Sequence, residues 1–145
     1  MADARSFTAA SSLGTMSVAR VRVLAVLAGG GLGALARAGL AEALPARPGS
    51  WPWATFSANV AGALLLAWLT TRLTEMAAPE RYARLLLGTG FCGALTTFST
   101  FQVQTIQLAK SGHLGVAAAY CAASLAAGMI AAILATVVAR RRRYG

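Results

Sequence analysis

Acidic side chains are scarce in this chain of 145 residues, which contains four Asp and Glu against thirteen Lys and Arg. None of the four acids lies inside a long apolar run; they are Asp3, Glu42, Glu75 and Glu80. The chain also has a single His and only two Cys. It therefore lacks the residues for a metal cluster, a pair of catalytic carboxylates or a disulfide framework, and an enzyme is a poor first hypothesis.

Apolar residues, by contrast, are abundant. Hydrophobic residues make up 57% of the chain, charged residues only 12%, and the mean hydropathy is +0.63, which is high for a soluble domain. The net charge of +9 is compatible with a nucleic-acid partner, but the basic residues bracket long apolar runs. That arrangement is typical of an integral membrane protein. We therefore predict an all-α protein that contacts membrane lipid and binds no nucleic acid.

Four apolar segments have about the 20 residues that a membrane-spanning helix needs. They cover about residues 23–40, 50–71, 85–109 and 114–139. The loops between them are short and contain turn residues such as Pro45, Gly49 and Pro79, so consecutive helices are expected to be antiparallel neighbours. Residues 20–145 are thus predicted to form one membrane domain with four spans.

Residues 1–19 are polar and rich in Ser and Ala, and we predict a disordered extension there. Arg20 and Arg22 precede an apolar run, which is also the pattern of a signal peptide. The run is long and Gly-rich, however, and it contains Arg37. A retained first span is therefore the better interpretation.

The basic residues are unequally divided between the two sides that four spans define. Ten would lie on the side of the termini, namely Arg5, Arg20, Arg22, Arg72, Arg81, Arg84 and Arg140 to Arg143. The other three would lie opposite, namely Arg37, Arg47 and Lys110. The positive-inside rule then predicts that both termini are cytoplasmic and that the chain lies in the cell membrane.

The third apolar segment has the composition of an interrupted helix. Gly88, Gly90 and Gly93 each weaken a helix by about 1 kcal/mol relative to Ala, and a polar run over residues 96–100 follows directly. We predict a break at mid-membrane, where freed backbone must line a cavity or bind something. Carbonyl oxygens at such a break suit a hard cation such as sodium. A flexible, unbroken helix is the alternative.

The polar groups within the spans are mostly neutral hydrogen-bond donors without acids, which favours an anion as the transported species. They include Asn59, Tyr120 and Ser124. Phe98 and Phe101 share a helix face, and a phenyl ring can turn its positive edge toward an anion, although core packing is its usual role. Arg37 either extends to the membrane interface or concentrates anions at a pore mouth.

Four helices leave little room for a pore, so we expect a second subunit. Small residues at four-residue spacing, as in Gly29 and Gly33 or Ala58 and Gly62, permit close helix contacts, either between subunits or within one. Residues 88–93 also fit the dinucleotide-binding pattern G-x-G-x-x-G. No strand is predicted before them and no acid follows at the required spacing, so this interpretation is rejected.

Three motifs resemble those of the CrcB/Fluc fluoride channels. They are GGGLGALAR at residues 29–37, TFSANVAG at 55–62 and GFCGALTTFSTF at 90–101. The similarity covers about residues 20–139, and the third motif is the most specific. The resemblance implies four-span subunits that pair as an antiparallel dimer with two pores and export fluoride passively from the cytoplasm.

The resemblance also implies roles for individual residues. The carbonyl groups of Gly93 and Thr96 would hold a structural sodium ion at the dimer interface. The fluoride pathway would contain Asn59, Phe98, Phe101, Tyr120, Ser124, Thr97 and Arg37. The chain departs from the family at Gln104, where a Glu is frequent, and at Gly128, which has no hydroxyl to continue the polar track of the fourth span.

Two other functions compete with this one. A small multidrug-type transporter would need a carboxylate within its first span, whereas Glu42 lies at the far end of that span. A structural factor in a larger membrane complex would not need the polar groups of the third span. The partner subunit is also open, because the ten-to-three bias favours one orientation and hence a paralogue inserted the opposite way over an antiparallel homodimer.

Overall fold

The computed structural model describes residues 3–75 and 81–141, with side chains described for residues 17–74 and 82–141. This part of the chain is all helical and has no strand. Helix α1 spans Asp3–Ala43, α2 spans Trp53–Glu75, α3 spans residues 81–95, α4 spans Phe98–Lys110 and α5 spans Leu114–Arg141. The all-α prediction is confirmed.

Three of these helices are long and apolar enough to cross a membrane. The segments concerned are Ser17–Ala43, Trp53–Thr74 and Leu114–Arg141. Only 11% of the first and third and 22% of the second are buried within the subunit, so most of their apolar surface needs lipid or another chain as its surroundings. The chain is therefore a membrane protein. The segment predicted as a third span, 85–109, is divided between α3 and α4.

The structure begins α1 at Asp3, inside the segment 1–19 for which the sequence predicts disorder. The side chains before Ser17 lie outside the described part of the chain. The disorder of residues 1–19 stays a prediction.

Glycines allow α1 and α3 to pack backbone against backbone. A methyl group added at Gly29 would meet the Leu86 carbonyl, and one at Gly33 would meet the Phe91 carbonyl. Since residue numbers rise together along both helices, α1 and α3 run parallel. The small-residue spacing in α1 thus serves a contact within one subunit, which was one of the two predicted uses.

The other helices alternate in direction. Asn59 of α2 hydrogen-bonds Thr97, while Leu66 of α2 lies beside Gly88, so α2 is antiparallel to α3. Leu108 of α4 packs with Ala117 and Tyr120 of α5, and α4 and α5 are joined by a short turn. One end of the bundle, here called the termini end, contains the start of α3 and the ends of α2 and α5. The opposite end contains the α1–α2 and α4–α5 loops.

Helix α3 is π-helical over Arg84–Cys92, a feature that the sequence did not predict. Short α-helical turns flank it at Arg81–Ala83 and Gly93–Leu95. A π-helix is rare and is frequently found at functional sites. Here one α-helical turn, Gly93–Leu95, separates it from the interruption of the third helical segment.

At the opposite end, two glycines with positive φ set the loops. Gly49 has φ +74° and Gly112 has φ +85°, values that suit glycine because it lacks a Cβ. The His113 ring lies against Gly49, so the two loops pack on each other. Gly112 follows the C-cap residue Ser111 of α4, and the His113 amide donates to the Leu108 carbonyl at 2.9 Å, as in a Schellman C-cap.

Candidate functional site

The backbone leaves the helical conformation at two residues between α3 and α4. Thr96 has φ −80° and ψ 151°, and Thr97 has φ −149° and ψ 120°, both extended. The Thr96 hydroxyl donates to the Cys92 carbonyl at 2.9 Å, which closes the end of α3. The Thr97 hydroxyl accepts from the Thr100 amide at 3.2 Å and caps α4. The depth of this interruption in a membrane stays a prediction.

Asn59 holds the interruption from α2 with two hydrogen bonds. Its Oδ1 accepts from the Thr97 amide at 2.8 Å, and its Nδ2 donates to the Thr97 carbonyl at 3.1 Å. Each end of the side-chain amide therefore satisfies one backbone group that the broken helix leaves open. One turn further along α2, Gly62 leaves the space that the Thr96 methyl group occupies.

These hydrogen bonds engage the helical partners of two of the carbonyl groups at the interruption. In a continuous α-helix the Gly93 carbonyl would accept from the Thr97 amide, and the Thr96 carbonyl from the Thr100 amide. The Thr97 amide instead donates to Asn59, and the Thr100 amide donates to the Thr97 hydroxyl. The two carbonyl groups predicted to bind sodium are thus the two whose amides are engaged by side chains.

This chemistry fits a hard cation. Carbonyl oxygens that lack an amide partner are suitable ligands for sodium, and Gly93 lies on the exposed side of α3 with open space beside it. Among the described residues no group of three His, Cys, Asp or Glu side chains could hold a metal ion.

The predicted aromatic pair stands beside the interruption. The rings of Phe98 and Phe101 are stacked, with centroids 6.0 Å apart and an interplanar angle of 25°. Phe101 also lies 5.1 Å from the ring of the fully buried Tyr120. Phe98, however, is 70% exposed. In the single subunit, Phe98 therefore lies on the surface and does not line an enclosed pore.

An aromatic cluster continues from Tyr120 toward the α1–α2 loop. Trp51 packs edge-on against Tyr120 at 5.5 Å and against Phe56 at 5.7 Å. The buried indole nitrogen of Trp51 has no hydrogen-bond partner within the described part. The same holds for the hydroxyl of Ser124, one turn after Tyr120 on α5. A buried hydroxyl without a partner is unusual and is available to a ligand.

Two adjoining cavities open at the opposite end of the bundle. The first, the Thr97 cavity, has a volume of about 230 Å³. Its polar lining residues are Arg37, Thr55, Thr97, Thr100 and Gln104. The second, the Arg47 cavity, has a volume of about 330 Å³ and contains the polar residues Arg47, Ser50, Gln104, Gln107 and Ser111. Each cavity thus has one arginine, several neutral polar groups and no acid.

Gln104 lies in the wall of both cavities. The Tyr120 hydroxyl donates to its Oε1 at 3.3 Å, which leaves the Gln104 amide nitrogen to act as a donor. The departure from Glu at this position therefore preserves the bond to Tyr120. Gly128, the second departure, lies on α5 outside both cavities, with nothing near it.

The structure brings together most of the predicted site residues but not all. Arg37 and Thr97 share a cavity, and Asn59, Phe98, Phe101 and Tyr120 lie at or next to the interruption. Ser124 lies on α5 one turn after Tyr120, and its hydroxyl has no hydrogen bond to the other predicted site residues. Sequence reasoning missed Thr55, which lines the Thr97 cavity. Its spacing of four residues before Asn59, on the same face of α2, was the available signal.

Comparison with known proteins identifies relatives over most of the chain. The family model described as CrcB-like protein, Camphor Resistance (CrcB), matches residues 24–136. A protein of Mycobacterium bovis named fluoride-specific ion channel FluC 1 is 55% identical over 119 residues, which cover 82% of this chain and 90% of the relative. A fluoride-specific ion channel FluC of Chlorobium luteolum is 43% identical over 121 residues, covering 81% and 92%.

Proposed function

This chain belongs to the CrcB-like family, and on that premise we propose that it is a fluoride-specific ion channel that lets fluoride leave the cytoplasm passively across the cell membrane. The observation that carries the proposal is the family match over residues 24–136. Relatives in this family are named as ion channels and not as enzymes, in agreement with the scarcity of catalytic side chains.

The cavities support an anion pathway at the opposite end of the bundle. Fluoride is small and strongly hydrated, so a pore must replace its water with hydrogen-bond donors. Arg47 and Arg37 raise the local concentration of anions, and the hydroxyl and amide groups of the two cavities supply donors without acids. We infer that fluoride passes Gln104 and Thr97, then the edges of Phe98 and Phe101, and then Ser124.

A structural sodium ion at the Gly93 and Thr96 carbonyls belongs to the same proposal. Both carbonyls have lost their helical amide partners to side chains of Asn59 and Thr97. When bound, the ion would supply positive charge next to the C-terminal end of α3, where the helix dipole is negative. The exposed position of Gly93 is consistent with an ion shared by two subunits.

We further propose an antiparallel dimer of subunits. Phe98, a pathway residue by resemblance, is 70% exposed on the single subunit, so a second chain is needed to enclose the path beside it. Large apolar side chains on α5 are also exposed, including Leu125, Met129 and Ile133. The partner is either a second copy or a paralogue of opposite orientation. The termini of this subunit would face the cytoplasm.

The multidrug-transporter alternative has no support in the structure. Such a transporter exchanges protons through a carboxylate within a span. Glu42, the only acid with a described side chain, lies next to the last residue of α1. The family membership argues against it as well.

Fluoride efflux from liposomes tests the proposal. Liposomes containing the purified protein are expected to release fluoride, read with a fluoride electrode, and to retain chloride. Phe98→Ile should lower the efflux rate at least about tenfold, which corresponds to about 1.4 kcal/mol in the barrier. Replacing all sodium by a large organic cation should slow the wild type. Val103→Ile, an exposed apolar position on α4, is the matched control.

Absence of fluoride release by the wild type would overturn the proposed function. Wild-type release by Phe98→Ile would remove Phe98 from the pathway, and undiminished release without sodium or a substitute metal would remove the cation site.

A further inference from the structure

A third cavity lies between α2 and α3 at the termini end, away from the proposed fluoride pathway. We call it the Arg84 cavity; its volume is about 270 Å³. One wall is apolar and consists of Leu66, Leu69 and Leu73, spaced along one face of α2. The polar groups are Arg84 and Thr89 of α3 and Thr70 of α2. None of these residues has a role in the proposed channel.

The three polar groups differ in how available they are to a ligand. The Thr70 hydroxyl already donates to the Leu66 carbonyl of its own helix at 2.7 Å. Arg84 and Thr89 are exposed and stand on the same helix, five residues apart. Arg84 is the only charged residue in the lining. The cavity is thus an apolar groove with one cation and one hydroxyl along α3.

The end of the bundle that contains the cavity is rich in arginine. The arginines with described side chains at this end are Arg20, Arg22, Arg72, Arg84, Arg140 and Arg141. The sequence contains only four acids, Asp3, Glu42, Glu75 and Glu80, against thirteen basic residues. The Arg72 guanidinium lies 6.0 Å from the centroid of the Trp68 ring, and tryptophan next to arginine is typical of the membrane interface.

We propose that the Arg84 cavity binds one anionic phospholipid. The phosphate is held by Arg84, whose planar guanidinium can donate two hydrogen bonds to it, with Thr89 as a further donor. An acyl chain lies along Leu66, Leu69 and Leu73. Basic pockets between membrane helices are suited to anionic headgroups, and a lipid satisfies both the charge and the apolar wall. The inference requires membrane insertion but not fluoride conduction.

Native mass spectrometry of the full chain in detergent can test the site. The protein is mixed with phosphatidylglycerol or with phosphatidylcholine of the same acyl chains. We expect preferential retention of phosphatidylglycerol. Arg84→Gln should lower this retention about tenfold, the effect of losing one hydrogen bond to a charged group. Arg20→Gln removes the same charge at the same end, outside the cavity, and should retain the lipid.

A second variant tests the apolar groove without changing charge. A methyl group added at Gly88, which also lines the cavity, would lie 3.7 Å from Leu66, an ordinary contact distance. Gly88→Leu is therefore expected to fold, to fill the groove and to lower lipid retention. Gly115→Leu, at a helical glycine with open space around it, is the matched control.

Other occupants would give different results. Equal losses of lipid retention in Arg84→Gln and Arg20→Gln would show that basic residues attract the anionic lipid only in general. That result would overturn the proposed site. Displacement of the lipid by millimolar inorganic phosphate would indicate a soluble anion instead. Retention by separated subunits but not by the assembled protein would show that a second copy covers the cavity. Fluoride efflux by Arg84→Gln in phosphatidylcholine liposomes should remain, which keeps this inference separate from the proposed function.

Discussion

At the scale of single residues, Asn59 has more than the role that its sequence position indicated. A polar residue in an apolar span predicted a hydrogen-bond donor facing a pathway. The structure shows that its amide binds the backbone of Thr97 on both sides. The sequence could not identify this partner, since the two residues are 38 positions apart. An asparagine side chain can make about four hydrogen bonds, so capacity remains for a passing anion.

We predict that Asn59→Asp abolishes fluoride efflux. The carboxylate can still accept from the Thr97 amide, but it would place an anionic oxygen about where Nδ2 now lies, 3.1 Å from the Thr97 carbonyl. Two acceptors at that distance repel each other, and losing the bond costs about 1–3 kcal/mol. A fixed negative charge also opposes an anion. Efflux from liposomes measures the effect, and elution on size-exclusion chromatography reports assembly.

Thr71→Val is the control on the same helix, because the Thr71 hydroxyl bonds only the Ala67 carbonyl one turn back. Fluoride efflux at the wild-type rate from Asn59→Asp would contradict both the need for the two Asn59–Thr97 hydrogen bonds and the pathway role of Asn59.

At the scale of helices, the three consecutive glycines of α1 are not equivalent. A methyl group added at Gly29 or Gly33 would meet the backbone of α3, whereas one added at Gly30 or Gly31 would meet nothing within 4 Å. The sequence predicted close packing from the four-residue spacing and was right about the residues. It could not say which helix is contacted, because the pattern is the same within and between subunits. The π-helix of α3 was not predictable either, since no residue pattern specifies it.

We predict opposite outcomes for two alanine substitutions in this motif. Gly29→Ala would drive a methyl group into the Leu86 carbonyl, so α1 and α3 must separate, at a cost of about 1–3 kcal/mol for overpacking. Gly31→Ala adds the same methyl group in open space and gains about 0.5–1 kcal/mol of helix propensity. Thermal unfolding in detergent should therefore show a lower midpoint for Gly29→Ala only. Equal midpoints would contradict the α1–α3 contact.

At the scale of the whole molecule, the exposed apolar surface and the distribution of charge bear on how the chain is oriented in the membrane and how subunits pair. The apolar exterior predicted from composition is present on α1, α2 and α5. The pairing of subunits was outside the reach of both composition and spacing, because a partner surface and a lipid surface have the same apolar residues. The distribution of basic residues is a separate signal, and it is lopsided at ten to three.

We predict that this chain inserts in one orientation with both termini inside. Cysteines introduced near each terminus, in a background lacking Cys92 and Cys121, should be labelled by a membrane-impermeant reagent only after the cells are opened. A cysteine at Ser50, in the loop at the opposite end, is the control and should be labelled from outside. Labelling of both termini in intact cells, on a large fraction of molecules, would show dual insertion and favour a homodimer.

The hydrogen bonds at the interruption also compete with those that a continuous helix would form. If the Thr97 and Thr100 amides donated to the Gly93 and Thr96 carbonyls, α3 and α4 could join into one continuous α-helix. A cation bound to those carbonyls, as proposed above, would prevent this, and Asn59 opposes it by engaging the Thr97 amide. Two agents that favour the same conformation strengthen each other reciprocally. In the proposed channel, sodium binding and the interrupted conformation of the chain are therefore thermodynamically coupled. Weakening the Asn59–Thr97 hydrogen bonds would raise the sodium concentration needed to keep the channel in its conducting conformation.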